Sequence, residues 1–102
     1  MELTHDDAGT TCAVRAGEPF TVRLPENPTT GYRWHPDADA RGVDLTGDAY
    51  EGSTRPVGSG GQRLLTFTAR EPGKTRLRLT RRRSWEQDPV EQFTVELDVR
   101  PG

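Results

Sequence analysis

Histidine, cysteine and clustered carboxylates are the side chains from which a nucleophile, a general base or a metal site is built. This 102-residue chain holds few of them. His5 stands near the N-terminus, and His35 is followed by Pro36, Asp37 and Asp39. No nucleophile, base and orienting group can be assembled around either histidine at a specific spacing. "HPDAD" at 35–39 has ligand-type residues but no distant second cluster, so a solvated loop is the favoured reading and no metal or cofactor is expected. The lone Cys12 excludes an internal disulfide and a Cys-based zinc site. Lying in an apolar-alternating stretch, it reads as a small buried filler rather than a reactive thiol. An enzyme is not expected.

Three other stretches are chemically particular. "NPTTGYRW" at 27–34 holds the only Asn of the chain, with Pro28, Thr29, Thr30 and Gly31 before an aromatic pair, Tyr32 and Trp34. Pro28 fixes φ near −65°, Gly31 can take a positive φ, and Asn27 can bond the backbone two residues on, so a tight, preordered tip displaying Thr29 and Thr30 is expected. An ordinary strand connection is the competing reading, and neither prevails from the residues alone. Pro28 spoils the Asn-x-Thr triplet as a glycosylation acceptor. "GSGG", Gly58, Ser59, Gly60 and Gly61, lacks the Lys-Ser or Lys-Thr and the helix of a phosphate loop. Its backbone is bare enough for close approach by another molecule, though a flexible turn is the simpler reading. "RRRSW" at 81–85 couples charge to Trp85 in an expected loop, a combination found in nucleic-acid binding and, more often, at protein interface hot spots.

The totals narrow these options. Net charge is −2, so long-range attraction to nucleic acid or an anionic membrane is not expected. Basic residues are almost all Arg, with Lys74 the sole Lys. No apolar run is long enough for a signal peptide or a membrane span. The protein is expected either to stay in the cytoplasm or to have lost an export signal, and the residues do not choose between these.

The elements that must position the three stretches are short strands. Period-two alternation marks seven inward sets: Cys12, Val14 and Ala16; Phe20, Val22 and Leu24; Tyr32 and Trp34; Val43 and Leu45; Leu65, Phe67 and Ala69; Thr75, Leu77 and Leu79; and Phe93, Val95, Leu97 and Val99. Gly and Pro punctuate them, and no helical stripe runs for three turns. The expected fold is all-β, an immunoglobulin-like antiparallel β-sandwich of about seven strands with little or no helix. One domain over 1–102 is expected, with 1–9 a loose N-terminal segment. If successive strands alternate in direction, the second, fourth and sixth connections share one end of the sandwich. These connections contain "NPTTG", "RPVGSGG" and "RRSWEQDP", so the three particular stretches should meet.

At these residues the sequence resembles the chagasin family, protein inhibitors of papain-like cysteine peptidases. "NPTTGYRW" is similar to the family's NPTTG-aromatic-x-Trp signature, Gly58–Gly61 to its Gly-x-Gly-Gly, and Arg83, Ser84 and Trp85 to its Arg-Pro-Trp. The resemblance implies an immunoglobulin-like fold with loops 27–31, 57–61 and 82–89 forming a wedge. Asn27, Pro28, Thr29, Thr30 and Gly31 would enter the cleft, Gly58, Ser59, Gly60 and Gly61 would line one side, and Arg83 with Trp85 would grip the other. The implied partner is a papain-like cysteine peptidase, foreign or self, bound by a protein that is a monomer when free. Ser84 departs from the family's Pro. It implies a third loop less preorganised, at a cost of about 1 kcal/mol on binding. The alternative is a non-inhibitory immunoglobulin-like binding or adhesion module that uses other surfaces.

Overall fold

Alternating apolar residues become strands because every second side chain can be buried between two sheets while its neighbours face water. In the computed structural model, which describes residues 1–27, 30–36, 42–52 and 60–102, eight strands form. They are β1 (Glu2–Thr4), β2 (Thr11–Arg15), β3 (Pro19–Glu26), β4 (Arg33–Pro36), β5 (Val43–Gly52), β6 (Gly61–Ala69), β7 (Gly73–Arg82) and β8 (Glu91–Arg100). One sheet has the order β1-β3-β6-β5 and the other β2-β8-β7-β4. The segments β3-β6-β5 and β8-β7-β4 keep the strand orders B-E-D and G-F-C of an immunoglobulin sandwich.

The core lies between the sheets. Phe20, Val22, Leu24, Leu65, Phe67 and Ala69 come from one, and Trp34, Leu77, Leu79, Phe93, Val95, Leu97 and Val99 from the other. Six of the seven expected inward sets supply buried residues. The exception is the fourth: Val43 packs against the core, but Leu45 is 45% exposed. Leu45 stands opposite Phe67 on this edge strand, and a register shift follows between Leu45 and Gly47. Cys12 is half-buried against the core, close to the filler role expected of it.

Two features depart from the expected pattern. The 1–9 segment, expected to be loose, contributes β1 and a 3₁₀ turn at His5–Asp7. Leu3 is buried, and Asp7 accepts the Thr4 N–H at 2.8 Å. A three-residue strand offers one inward side chain, too few to register as alternation. The sandwich is also not wholly antiparallel, since β1 runs parallel to β3 and β2 parallel to β8. The remaining pairs are antiparallel. All six pairings are nevertheless consistent with strict alternation of direction along the chain. The connections after β3, β5 and β7 therefore leave from the same end.

Candidate functional site

At that end β3 stops at Glu26 and the chain turns. The Asn27 carbonyl accepts both the Thr30 N–H (3.2 Å) and the Thr30 hydroxyl (2.8 Å). The Thr30 hydroxyl in turn accepts the Tyr32 N–H at 3.3 Å. Gly31 follows with φ +80, a value that costs a residue with a Cβ about 1–2 kcal/mol. Thr30 is exposed as expected of the tip. Pro28 and Thr29 lie outside the described residues. The turn is thus closed by the backbone carbonyl of Asn27 and the hydroxyl of Thr30.

The other two connections approach it. A Cβ placed on Gly60, where φ is +76, would lie 3.4 Å from the Asn27 Cβ. A Cβ on Gly31 would lie 3.8 Å from the Trp85 ring and 3.9 Å from the Arg83 side chain. The first loop is therefore flanked by the start of β6 on one side and by the β7–β8 connection on the other. The expected meeting of the three segments holds for the described residues; Gly58 and Ser59 lie outside them. Gly61 is already in β6, where a Cβ would collide with the Glu51 carbonyl and the Tyr50 hydroxyl. Its lack of a side chain answers the packing of β5 onto β6 rather than an exposed backbone.

The run Arg81, Arg82, Arg83 splits into three tasks. Arg81 lies over the Trp34 ring (6.0 Å) and pairs with Glu91 (3.1 Å). Arg82 turns its Nη1 toward the carbonyls of the loop that follows. Arg83 lies 4.5 Å above the Tyr32 ring and 5.9 Å from that of Trp85, and bonds Glu86 at 3.4 Å. Guanidinium over aromatic faces is attractive through the ring quadrupole, so Arg83 joins the first and third loops. Tyr32, expected to begin a strand with Trp34, instead stands outside β4 as the platform for Arg83. Trp85 is 75% exposed and has no place in the core.

Beneath the loops lies a buried carboxylate that reading by periodicity missed. Glu26 is 2% exposed. It accepts the Trp34 N–H at 2.9 Å and an Arg63 Nε–H at 2.8 Å. Arg63 also reaches Asp48 on β5 at 2.9 Å and lies over the Tyr50 ring. The Glu26 bond raises the Arg63 pKa above its ordinary value against the opposing effect of burial. The Trp34 indole N–H donates to the Pro25 carbonyl at 2.9 Å. One acid therefore ties the exit of β3, the entry of β4 and the entry of β6. The only signal in the sequence was that Glu26 keeps the inward parity of Phe20, Val22 and Leu24.

His35 lies in β4 opposite Thr80, and its Nε2 is buried. Burial first, then the charge of Arg82, lowers its pKa from 6.5. Residues 37–41 lie outside the described residues. His5 bonds Glu91 at 2.6 Å. Among the described residues no three His, Cys, Asp or Glu side chains are grouped to hold a metal. Among the described residues, the end of the sandwich thus gathers Asn27, Thr30 and Gly31 between Gly60 on one side and Arg83 with Trp85 on the other.

The family model described as Chagasin family peptidase inhibitor I42 matches residues 13–99. The chain belongs to this family. It is 31% identical to Amoebiasin-1 of Entamoeba histolytica over 98% of this chain and all of that protein. It is 27% identical to Chagasin of Trypanosoma cruzi, covering 94% of each chain. The crystal structure of a cysteine protease inhibitor from Entamoeba histolytica superposes with a TM-score of 0.83 at 24% identity, over 97% of this chain and 94% of that one. The chagasin family consists of peptidase inhibitors, not enzymes. That membership agrees with the resemblance carried by the three motifs.

Proposed function

We propose that this protein inhibits papain-like cysteine peptidases by reversible occlusion of the active-site cleft. The observation that carries the reading is the junction at Arg83, where one guanidinium spans Tyr32 beside the first loop and Trp85 on the third. In this reading the tip of Asn27, Pro28, Thr29, Thr30 and Gly31 enters the cleft. Gly58, Ser59, Gly60 and Gly61 flank it on one side, and Arg83 with Trp85 on the other.

A substrate is cut because an extended peptide presents its carbonyl in line with the nucleophile. The 27–31 turn has its Asn27 carbonyl engaged by Thr30 twice over and cannot extend without losing both bonds. It fills the groove without offering a bond to cleave. A loop ordered before docking also loses less conformational entropy on binding. Three loops can supply an interface on the order of 1,600 Å². Nothing covalent is required.

Titration of papain and a cathepsin-like enzyme with the protein tests the reading. Stoichiometric loss of activity is expected, recovered on dilution. Full activity of both enzymes under a large molar excess would overturn it.

A further inference from the structure

The third loop carries Ser84 between Arg83 and Trp85, so no proline ring restricts the backbone there. We propose that Arg82 is the positioning residue that sets the 82–89 loop. This rests on the reading that the loop faces the target peptidase. Arg82 is the last residue of β7, one step before the loop. Its Nη1 donates toward the carbonyls of Arg83 (3.4 Å), Ser84 (3.4 Å) and Glu86 (3.1 Å). An extended chain points successive carbonyls to opposite sides, so carbonyls 83, 84 and 86 reach one nitrogen only if the backbone curls around it. The Glu86 N–H closes the same curl by donating to the Arg83 carbonyl at 3.0 Å.

The register explains why the guanidinium turns this way. Arg82 stands directly opposite Arg33 on β4, and like charges facing across strands repel. A cluster of carbonyl oxygens offers the charge a complementary partner. A proline at 84 would restrict the same segment covalently, fixing its own φ and steering Arg83 away from helical angles. Among the described residues the Ser84 N–H donates no hydrogen bond that proline there would remove. Cation and ring are two solutions to one problem, and either should substitute for the other.

The test is a four-protein set: the native chain, Arg82→Ala, Ser84→Pro, and the double variant. Two quantities are measured: exchange of the Glu86 amide in the free protein by NMR, and the inhibition constant against papain. Arg82→Ala should raise both by roughly tenfold, since a mobile loop must be ordered on docking. The melting temperature should change little, because Arg82 is not one of the buried core residues. The double variant should return both to within about threefold of the native values. Glu86 exchange unaltered by Arg82→Ala, or no recovery in the double variant, would overturn the assignment. A weaker inhibition constant with unaltered exchange would overturn it too, making Arg82 a direct contact. If the native chain fails to inhibit papain, the functional reading fails, while the exchange measurements still decide what Arg82 does.

Discussion

The middle of this molecule and its loop-bearing end are held by different forces. Between the sheets, Phe20, Phe67, Phe93 and their Leu and Val neighbours are buried, and hydrophobic burial there is non-directional. At the loop end the work passes to directed bonds: Glu26 to Trp34 and Arg63, Arg82 to three carbonyls, Arg83 to two rings. The contrast teaches that apolar burial can hold two sheets together without dictating where a turn points. Charged groups with few permitted geometries can dictate it. Core substitutions should therefore lower stability without altering the site, while substitutions at the loop end should alter the site.

The sharpest test is at the core. Phe93→Ala should cost about 3–5 kcal/mol of stability in denaturant unfolding, the usual loss for a buried ring. The fraction that remains folded should inhibit with the native constant. A changed constant in that fraction would show that the core also shapes the loops. Glu26→Ala should cost about 3 kcal/mol, at the lower end for a broken buried ion pair, because Arg63 keeps Asp48. Unlike the core variant, it should also weaken inhibition, since it frees the bases of two loops. Native inhibition by this variant would collapse the distinction between the two regions.

Trp85→Ala reverses the pattern. Its ring is exposed, so the melting temperature should hold, while inhibition weakens by about 2–4 kcal/mol, as for a hot-spot aromatic. An unchanged constant would remove Trp85 from the contact surface. Gly31→Ala forces a Cβ into φ +80 and should weaken inhibition by about 1–2 kcal/mol if the turn shifts to relieve strain. The smallest effect concerns pH. Burial and the Arg82 charge depress the His35 pKa below 6.5, so the unfolded chain binds a proton that the folded chain refuses. Stability from this source is complete above 6.5, falls as pH drops through 6.5, and stops falling below the folded pKa. His35→Gln should flatten that stretch of the curve; identical slopes would mean that His35 contributes nothing.

Much of the candidate site's arrangement was legible in the sequence. The positive φ of Gly31 is local turn chemistry, and the shared end of the three loops follows from counting strands whose directions alternate. Other features were out of reach. Leu3 is a single apolar residue in a three-residue strand, and Tyr32 looked like a strand residue because it alternates with Trp34. "RRRSW" read as charge coupled to Trp85 in one loop, but its three arginines diverge because their partners, Trp34, the loop carbonyls and Tyr32, come from elsewhere in the chain or from its bending.

What the residues alone determined was seven of the eight described strands, the end at which the loops gather, and the family motifs they carry. These depend on period, parity and turn stereochemistry, which act over a few positions. Only the tertiary structure decided that Glu26 is buried, that Gly61 must lack a side chain, and that three adjacent arginines do three different things. Those outcomes depend on cross-strand register and on which distant group a side chain meets, and contacts between residues far apart in the chain exist only once the sheets have closed on each other.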